Sequence, residues 1–107
     1  MKRSFVPLYE LAHARTGDKG SRSNISVIAY QQKDFAILQR ELTAEKVKAH
    51  FSFRNPTSVR RYDLPNLTAL NFVIDDLLDG GVNLSLNLDS HGKSLSYWLL
   101  SMEVNIE

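Results

Sequence analysis

Hydrophobic and polar positions along the chain fall into short blocks that change period several times. From Phe5 to Ala12 apolar residues point both ways, with Val6, Leu8 and Ala12 opposing Phe5, Tyr9 and Leu11, which predicts a strand covered on each side. His13 to Ser23 breaks that pattern with Gly17, Asp18, Gly20 and a cluster of serines and arginines, and reads as a loop. Asn24 to Tyr30 is nearly continuously apolar through Ile25, Val27 and Ile28, as a central strand is.

Helical spacing follows. Phe35, Leu38 and Leu42 share one helical face, and Thr43 is placed to cap a further turn carrying Ala44, Val47 and Phe51. Arg54-Asn55-Pro56 stops it. Ser58 to Leu64 predicts a third strand, made polar by Arg60 and Arg61. Asn66 then caps a predicted helix whose stripe is Leu67, Leu70, Val73, Ile74, Leu77 and Leu78, ended by Asp79-Gly80-Gly81 with Gly80 at the left-handed position. Val82, Leu84, Leu86 and Leu88 alternate with Asn83, Ser85, Asn87 and Asp89, a strand with one dry face. After a turn at Asp89-Ser90-His91-Gly92, the last stretch fits a helix (Leu95, Trp98, Leu99, Met102) or a strand (Trp98, Leu100, Met102, Val104, Ile106). We read it as a short helix running into an extended tail.

The order β-β-α-β-α-β plus a C-terminal element predicts an α+β fold: a two-layer sandwich, with a four-stranded sheet carrying two main helices on one face. The 107 residues suit one domain over the whole chain, with no repeat or linker. A content of 43% hydrophobic and 23% charged residues is that of a folded globule. Net charge is +1, from 13 basic and 12 acidic residues. That balance argues against a dedicated nucleic-acid or membrane-surface protein but is compatible with a local basic patch. The absence of cysteine rules out disulfides, iron–sulfur clusters, thiolate zinc and cysteine nucleophiles. Met1-Lys2-Arg3-Ser4-Phe5-Val6-Pro7 has the charge of a signal peptide without its apolar core, and no apolar run spans a membrane, so a cytoplasmic location is expected.

The segment from His13 to Asn24 concentrates the candidate chemistry, with three cations, two glycines and several hydroxyls in one connection. Glycines let backbone N–H groups converge on an anion, and Arg15 can grip a carboxylate or phosphate with a two-pronged fork while Lys19 acts as a point charge. Asp18 can orient either cation or serve as a base, and His13 is of the residue type suited to act as an acid or base beside it. The plainer reading makes Gly17-Asp18-Lys19-Gly20 turn chemistry with solvated charges. Asn71, near the apolar stripe, either satisfies a backbone carbonyl or faces the anion segment.

These residues carry a resemblance. Ala12-His13-Ala14-Arg15-Thr16-Gly17-Asp18-Lys19-Gly20, followed by Asn24-Ile25, is similar to the signature of the AtuA-like domain, which forms the C-terminal part of proteins of the acyclic terpene utilisation family and also occurs as small separate chains. The similarity continues through Leu42-Thr43-Ala44-Glu45-Lys46-Val47, Arg61-Tyr62-Asp63-Leu64-Pro65-Asn66-Leu67-Thr68-Ala69-Leu70-Asn71-Phe72, Asp79-Gly80-Gly81 and Leu88-Asp89-Ser90-His91-Gly92-Lys93. The resemblance implies a ferredoxin-like fold. It also implies a link to bacterial breakdown of terpenoid and related acids as CoA thioesters, a task of the larger members. This chain is expected to lack their large N-terminal domain.

The expected role is therefore an accessory or binding subunit that recognises an acyl-CoA or other small anionic ligand, through Arg15, Gly17, Lys19, Gly20, Asn24 and Asn71. It would work beside a larger AtuA-type chain or by self-association as a homo-oligomer. The alternative is a structural oligomerisation or docking module with no site of its own, covering its sheet with Tyr97 and Trp98. A small free-standing enzyme would have to use His13 and Asp18 with Lys19; Ser21, His13 and Asp18 supply triad residue types without a nucleophile elbow. His13, His50 and His91 are dispersed, so no metal is expected, and no cofactor either. Gly92-Lys93-Ser94 resembles the end of a phosphate-binding loop, but that motif needs glycine where Asn87 stands. The aromatic motif of RNA-binding sheets is absent, so no nucleic-acid partner is expected.

Overall fold

A computed structural model gives the fold, and it describes residues 4–19, 22–76 and 91–107. Strands β1 (Phe5–Pro7), β2 (Ala12–Lys19), β3 (Arg22–Ala29), β4 (Ser58–Leu64), β5 (Ala69–Asp75) and β6 (Glu103–Asn105) alternate with helices α1 (Phe35–Glu41), α2 (Ala44–His50) and α3 (His91–Leu100). The main sheet is antiparallel throughout, in the order β2-β3-β5-β4, and β1 pairs with β6 beside it. Entered at β3, the chain runs β-α-β-β-α and returns to β2 as a neighbour of β3. That is the ferredoxin-like cycle with its last strand moved to the front.

All three helices lie on one face. Phe35 and Leu38 of α1, Val47 of α2, and Leu95 and Leu99 of α3 join Ile25 and Val27 of β3 and Leu70, Phe72 and Ile74 of β5 in one buried cluster. Small residues on β2, Ala12 and Ala14, let α3 approach that strand closely, and the Thr16 and Ser96 hydroxyls hydrogen-bond across the contact. Thr43 caps α2 as expected, its Oγ1 accepting from the Lys46 N–H at 3.1 Å. The predicted third strand and the C-terminal helix with its extended tail are also present, as β4, α3 and β6.

Three expectations need correction. Residues 67–76 are not a helix. Leu70, Phe72 and Ile74 are buried while Asn71, Val73 and Asp75 are half-buried, the period-two pattern of β5. Asn66 caps no helix. It sits in the 3-10 turn Pro65–Leu67, which Thr68 closes at a left-handed φ of 49° before its carbonyl accepts from the Ala29 N–H. Second, the described part of the predicted loop, His13 to Lys19 and Arg22 to Ser23, is strand, because β2 and β3 pair as far as Lys19 and Arg22. Third, the predicted first strand is divided: β1 ends at Pro7, a 3-10 turn spans Leu8–Glu10, and β2 begins at Ala12. The helix α3 starts at His91, so Gly92-Lys93-Ser94 lies in its first turns rather than in a phosphate loop. The expected strand from Val82 to Leu88 and the cap at Gly80 fall outside the described residues.

The end of α1 holds β6 through a charged clamp. Glu41 accepts from the Asn105 N–H at 2.8 Å and from Arg40 Nε at 3.3 Å, with Lys46 Nζ at 3.9 Å, while the Arg40 guanidinium donates to the Asn105 carbonyl. Burial pushes the Glu41 carboxyl up, but the Asn105 N–H, Arg40 and Lys46 together outweigh it and hold the pKa below the ordinary value. A depressed pKa means that the clamp stabilises the fold above about pH 4, the unfolded value for glutamate, and is lost as pH falls through the folded value. Glu41→Gln should thus lower the urea midpoint at pH 7 and approach the parent protein at pH 3. A gap that stayed constant across that range would show that the carboxylate charge is irrelevant.

Candidate functional site

Alternation along each strand assigns the face away from the helices, and cross-strand register sorts it into rows. The first row is His13, Ile28, Ala69 and Leu64, and the second is Arg15, Ser26, Asn71 and Tyr62. Gly17, Asn24, Val73 and Arg60 form the third, and Lys19, Arg22, Asp75 and Ser58 occupy the fourth. No described helix packs on this face, where Arg15, Gly17, Arg22, Asn24, Arg60 and Tyr62 are exposed.

Charge is distributed unevenly over the rows. Asp75 takes Arg22 Nε at 2.7 Å, Arg60 Nη2 at 3.3 Å and the Ser58 hydroxyl at 3.0 Å. The Arg22 hydrogen bond, with Ser58 and Arg60, holds the Asp75 carboxyl below its ordinary range, and Asp75 in turn raises the Arg22 pKa, to which the Tyr62 phenol adds a smaller contribution. Two rows away, Arg15 makes no ion pair or hydrogen bond with any described residue. Ser26 Oγ donates to Asn71 Oδ1 at 3.4 Å, and the His13 ring stacks on Tyr30 with centroids 5.4 Å apart.

Of the residues singled out in the sequence, Arg15, Gly17, Asn24 and Asn71 share adjacent rows, with the Lys19 position at one end and His13 at the other. Asp18 occupies the alternate position opposite Ser23, so register does not group it with Arg15, and Gly20 lies outside the described residues. Gly17 belongs to the β2–β3 ladder, so an anion here meets side chains on a sheet rather than a nest of loop N–H groups. Among the described residues the Asn71 side chain bonds Ser26 and no backbone carbonyl. Ser26 and Arg60 join the site from outside the residues that carry the resemblance, and Tyr62 joins it from within them, although no role was expected of it. Strand alternation in β4 would have placed Arg60 and Tyr62 together, but their approach to Arg15 depends on pairing through β5.

A second polar cluster lies on the helical side. His50 stacks on Trp98 at 4.5 Å, its Nε2 is 2.7 Å from the Trp98 carbonyl, and Trp98 Nε1 donates to the His50 carbonyl at 2.7 Å. Ser101 Oγ is 3.3 Å from the same Nε2 but donates to the Trp98 carbonyl at 2.6 Å. An imidazole nitrogen that donates to a carbonyl is no base for a serine, so this pairing ties α2 to α3 and does not form a nucleophile. Among the described residues no group of three or more His, Asp or Glu side chains is placed to hold a metal, and no helix is long and apolar enough to cross a membrane.

No curated protein and no solved structure matches the chain. The family model of the AtuA ferredoxin-like domain matches residues 6–105, spanning every strand of the main sheet and all three helices. Together with the antiparallel sheet and its one-sided helical layer, that match places the chain in the AtuA ferredoxin-like domain family.

Proposed function

We propose that the chain is an accessory or binding domain of a catabolic system for terpenoid-type or related acyl-CoA substrates, and that it holds an anionic group of the ligand on the open face of its sheet. The observation that carries this reading is Arg15: an exposed guanidinium with no described partner, one row from Asn24 and in the same row as Ser26 and Asn71. A fork of N–H donors flanked by amides and a hydroxyl suits a carboxylate or phosphate. Lys19, in the fourth row, extends the proposed site along β2, and Gly20, outside the described residues, is kept as a proposed member. The larger partner would be an AtuA-type chain carrying the rest of the substrate site, with His13, one row from Arg15, a candidate to move a proton.

Calorimetric titration with coenzyme A tests the anion site. Arg15→Gln should weaken binding about tenfold or more, the effect of losing a charge-assisted pair. Equal affinity in parent and variant would remove Arg15 from the site. A docking role draws on a different observation, the exposed aromatic patch of Phe53, Tyr97 and Trp98, in which Phe53 stands edge-on to Trp98 at 5.3 Å. A concentration-dependent mass abolished by Tyr97→Ala would favour that role, and a monomer at all concentrations would eliminate self-association.

A further inference from the structure

Gly17 has no local reason to be glycine. It lies inside β2, its φ is not in the left-handed region, and a Cβ built on it would meet nothing within 4 Å. Glycine weakens a strand interior, so the fold alone favours a side chain here. What the missing side chain leaves is a bare, solvent-open stretch of strand in the third row, with Arg15 next to it along the strand and Asn24 across from it. Further along that row Val73 forms a low floor, bordered by the exposed ring of Tyr62 and by the Asn71 amide in the second row. From Gly17 to Val73 is two inter-strand spacings, about 10 Å. The face thus offers a cation beside bare strand and, three inter-strand spacings or about 14 Å away on β4, an aromatic ring in register with the Asn71 amide.

We infer that this face binds a nucleoside phosphate, with the phosphate against the bare strand at Gly17 between Arg15 and Asn24, and the base above Val73, stacked on Tyr62 with the Asn71 amide at its edge. The inference rests on the reading of the face as an anion site and names the ligand's chemistry. Phosphate alone would account for Arg15 but not for an exposed ring and an amide on the same face. Base–aromatic stacking tolerates any base because each has a π-face, whereas amides favour the donor and acceptor edge of a purine. The same chemistry is offered by a free nucleotide and by the nucleotide end of a carrier thioester.

The test titrates the whole chain with pyrophosphate and with adenosine 3′,5′-bisphosphate, and repeats both on Gly17→Val and Tyr62→Leu. The bisphosphate should bind at least about tenfold more tightly than pyrophosphate, the scale of one stacked base. Tyr62→Leu should erase that advantage. Gly17→Val should lose binding of both ligands while melting at or above the parent temperature, because valine suits a strand and has room there. Equal binding of the two ligands, unimpaired binding by Gly17→Val, or tighter binding of a ten-nucleotide single-stranded RNA would overturn the inference. If pyrophosphate still bound through Arg15 in the first of those cases, the anion site would stand and only the nucleotide would fall. No binding of either ligand would remove both. Coenzyme A binding more tightly than ADP would identify a carrier thioester, the reverse order a free nucleotide, and either order supports the site.

Discussion

Phe72→Ala is expected to cost about 3–5 kcal/mol of folding stability, the range for emptying an aromatic site in a packed core. A domain of this kind has only about 5–15 kcal/mol in total. Phe72 is fully buried on β5, in register with Ile25 of β3 on one side and Arg61 of β4 on the other. Leu67→Ala should change stability by less than about 0.5 kcal/mol, as surface substitutions usually do, because Leu67 is 65% exposed in the turn before the strand. The two residues discriminate between the periods present in this segment. A helix over it would bury Leu67 with Leu70 and Ile74 and leave Phe72 off the stripe; the strand does the reverse. Urea unfolding of both variants reads the ranking directly, and a more damaging change at Leu67 than at Phe72 would restore the helix.

That segment shows why part of the fold was hidden. Leu70, Val73 and Ile74 satisfy helical spacing, while Leu70, Phe72 and Ile74 satisfy strand spacing. Leu67, exposed in the turn, and Val73, on the open face, supply the false helical matches. Thr68, a β-branched residue at positive φ, closes a turn that glycine or asparagine would have announced. Elements specified by local chemistry were legible: α2 from its Thr43 cap, β3 from its β-branched run, and β4 to its exact bounds. β2 was not, since Gly17 reads as punctuation and its place inside a strand follows from pairing with β3.

The site divides in the same way. Arg15, Gly17 and Asn24 stood out by composition within one segment. Tyr62 and Arg60 enter only through the register of β4 on β5 and of β5 on β3, pairings between residues far apart in sequence. Composition can mark an unusual segment. The face that completes it is defined by non-local pairing, which no single stretch of sequence contains.

Adjacent arginines on β4 carry this division to the level of single residues. Arg60 faces the open side, whereas Arg61 turns toward the helices. Arg61 Nη1 donates to the Gln39 and Leu42 carbonyls at 2.8 and 3.1 Å, satisfying acceptors at the end of α1. Its Nε and Nη2 hold both oxygens of Asp63 at 2.8 and 3.2 Å, and Gln39 Nε2 donates back to Asp63 at 3.1 Å. Arg61→Ala should therefore cost about 2–3 kcal/mol, because hydrogen bonds from a charged group are lost and part-buried carbonyls are stranded. Arg61→Lys should recover only part, since an ammonium cannot span two carbonyls and a carboxylate from one planar fork. Arg60→Ala should cost about 1 kcal/mol at most, and less in high salt, as an exposed ion pair does. The Arg61 deficit should persist at 1 M salt if geometry rather than charge supplies it. An Arg61→Ala deficit that vanished in salt would make Arg61 another surface cation and leave the end of α1 without its anchor on the sheet.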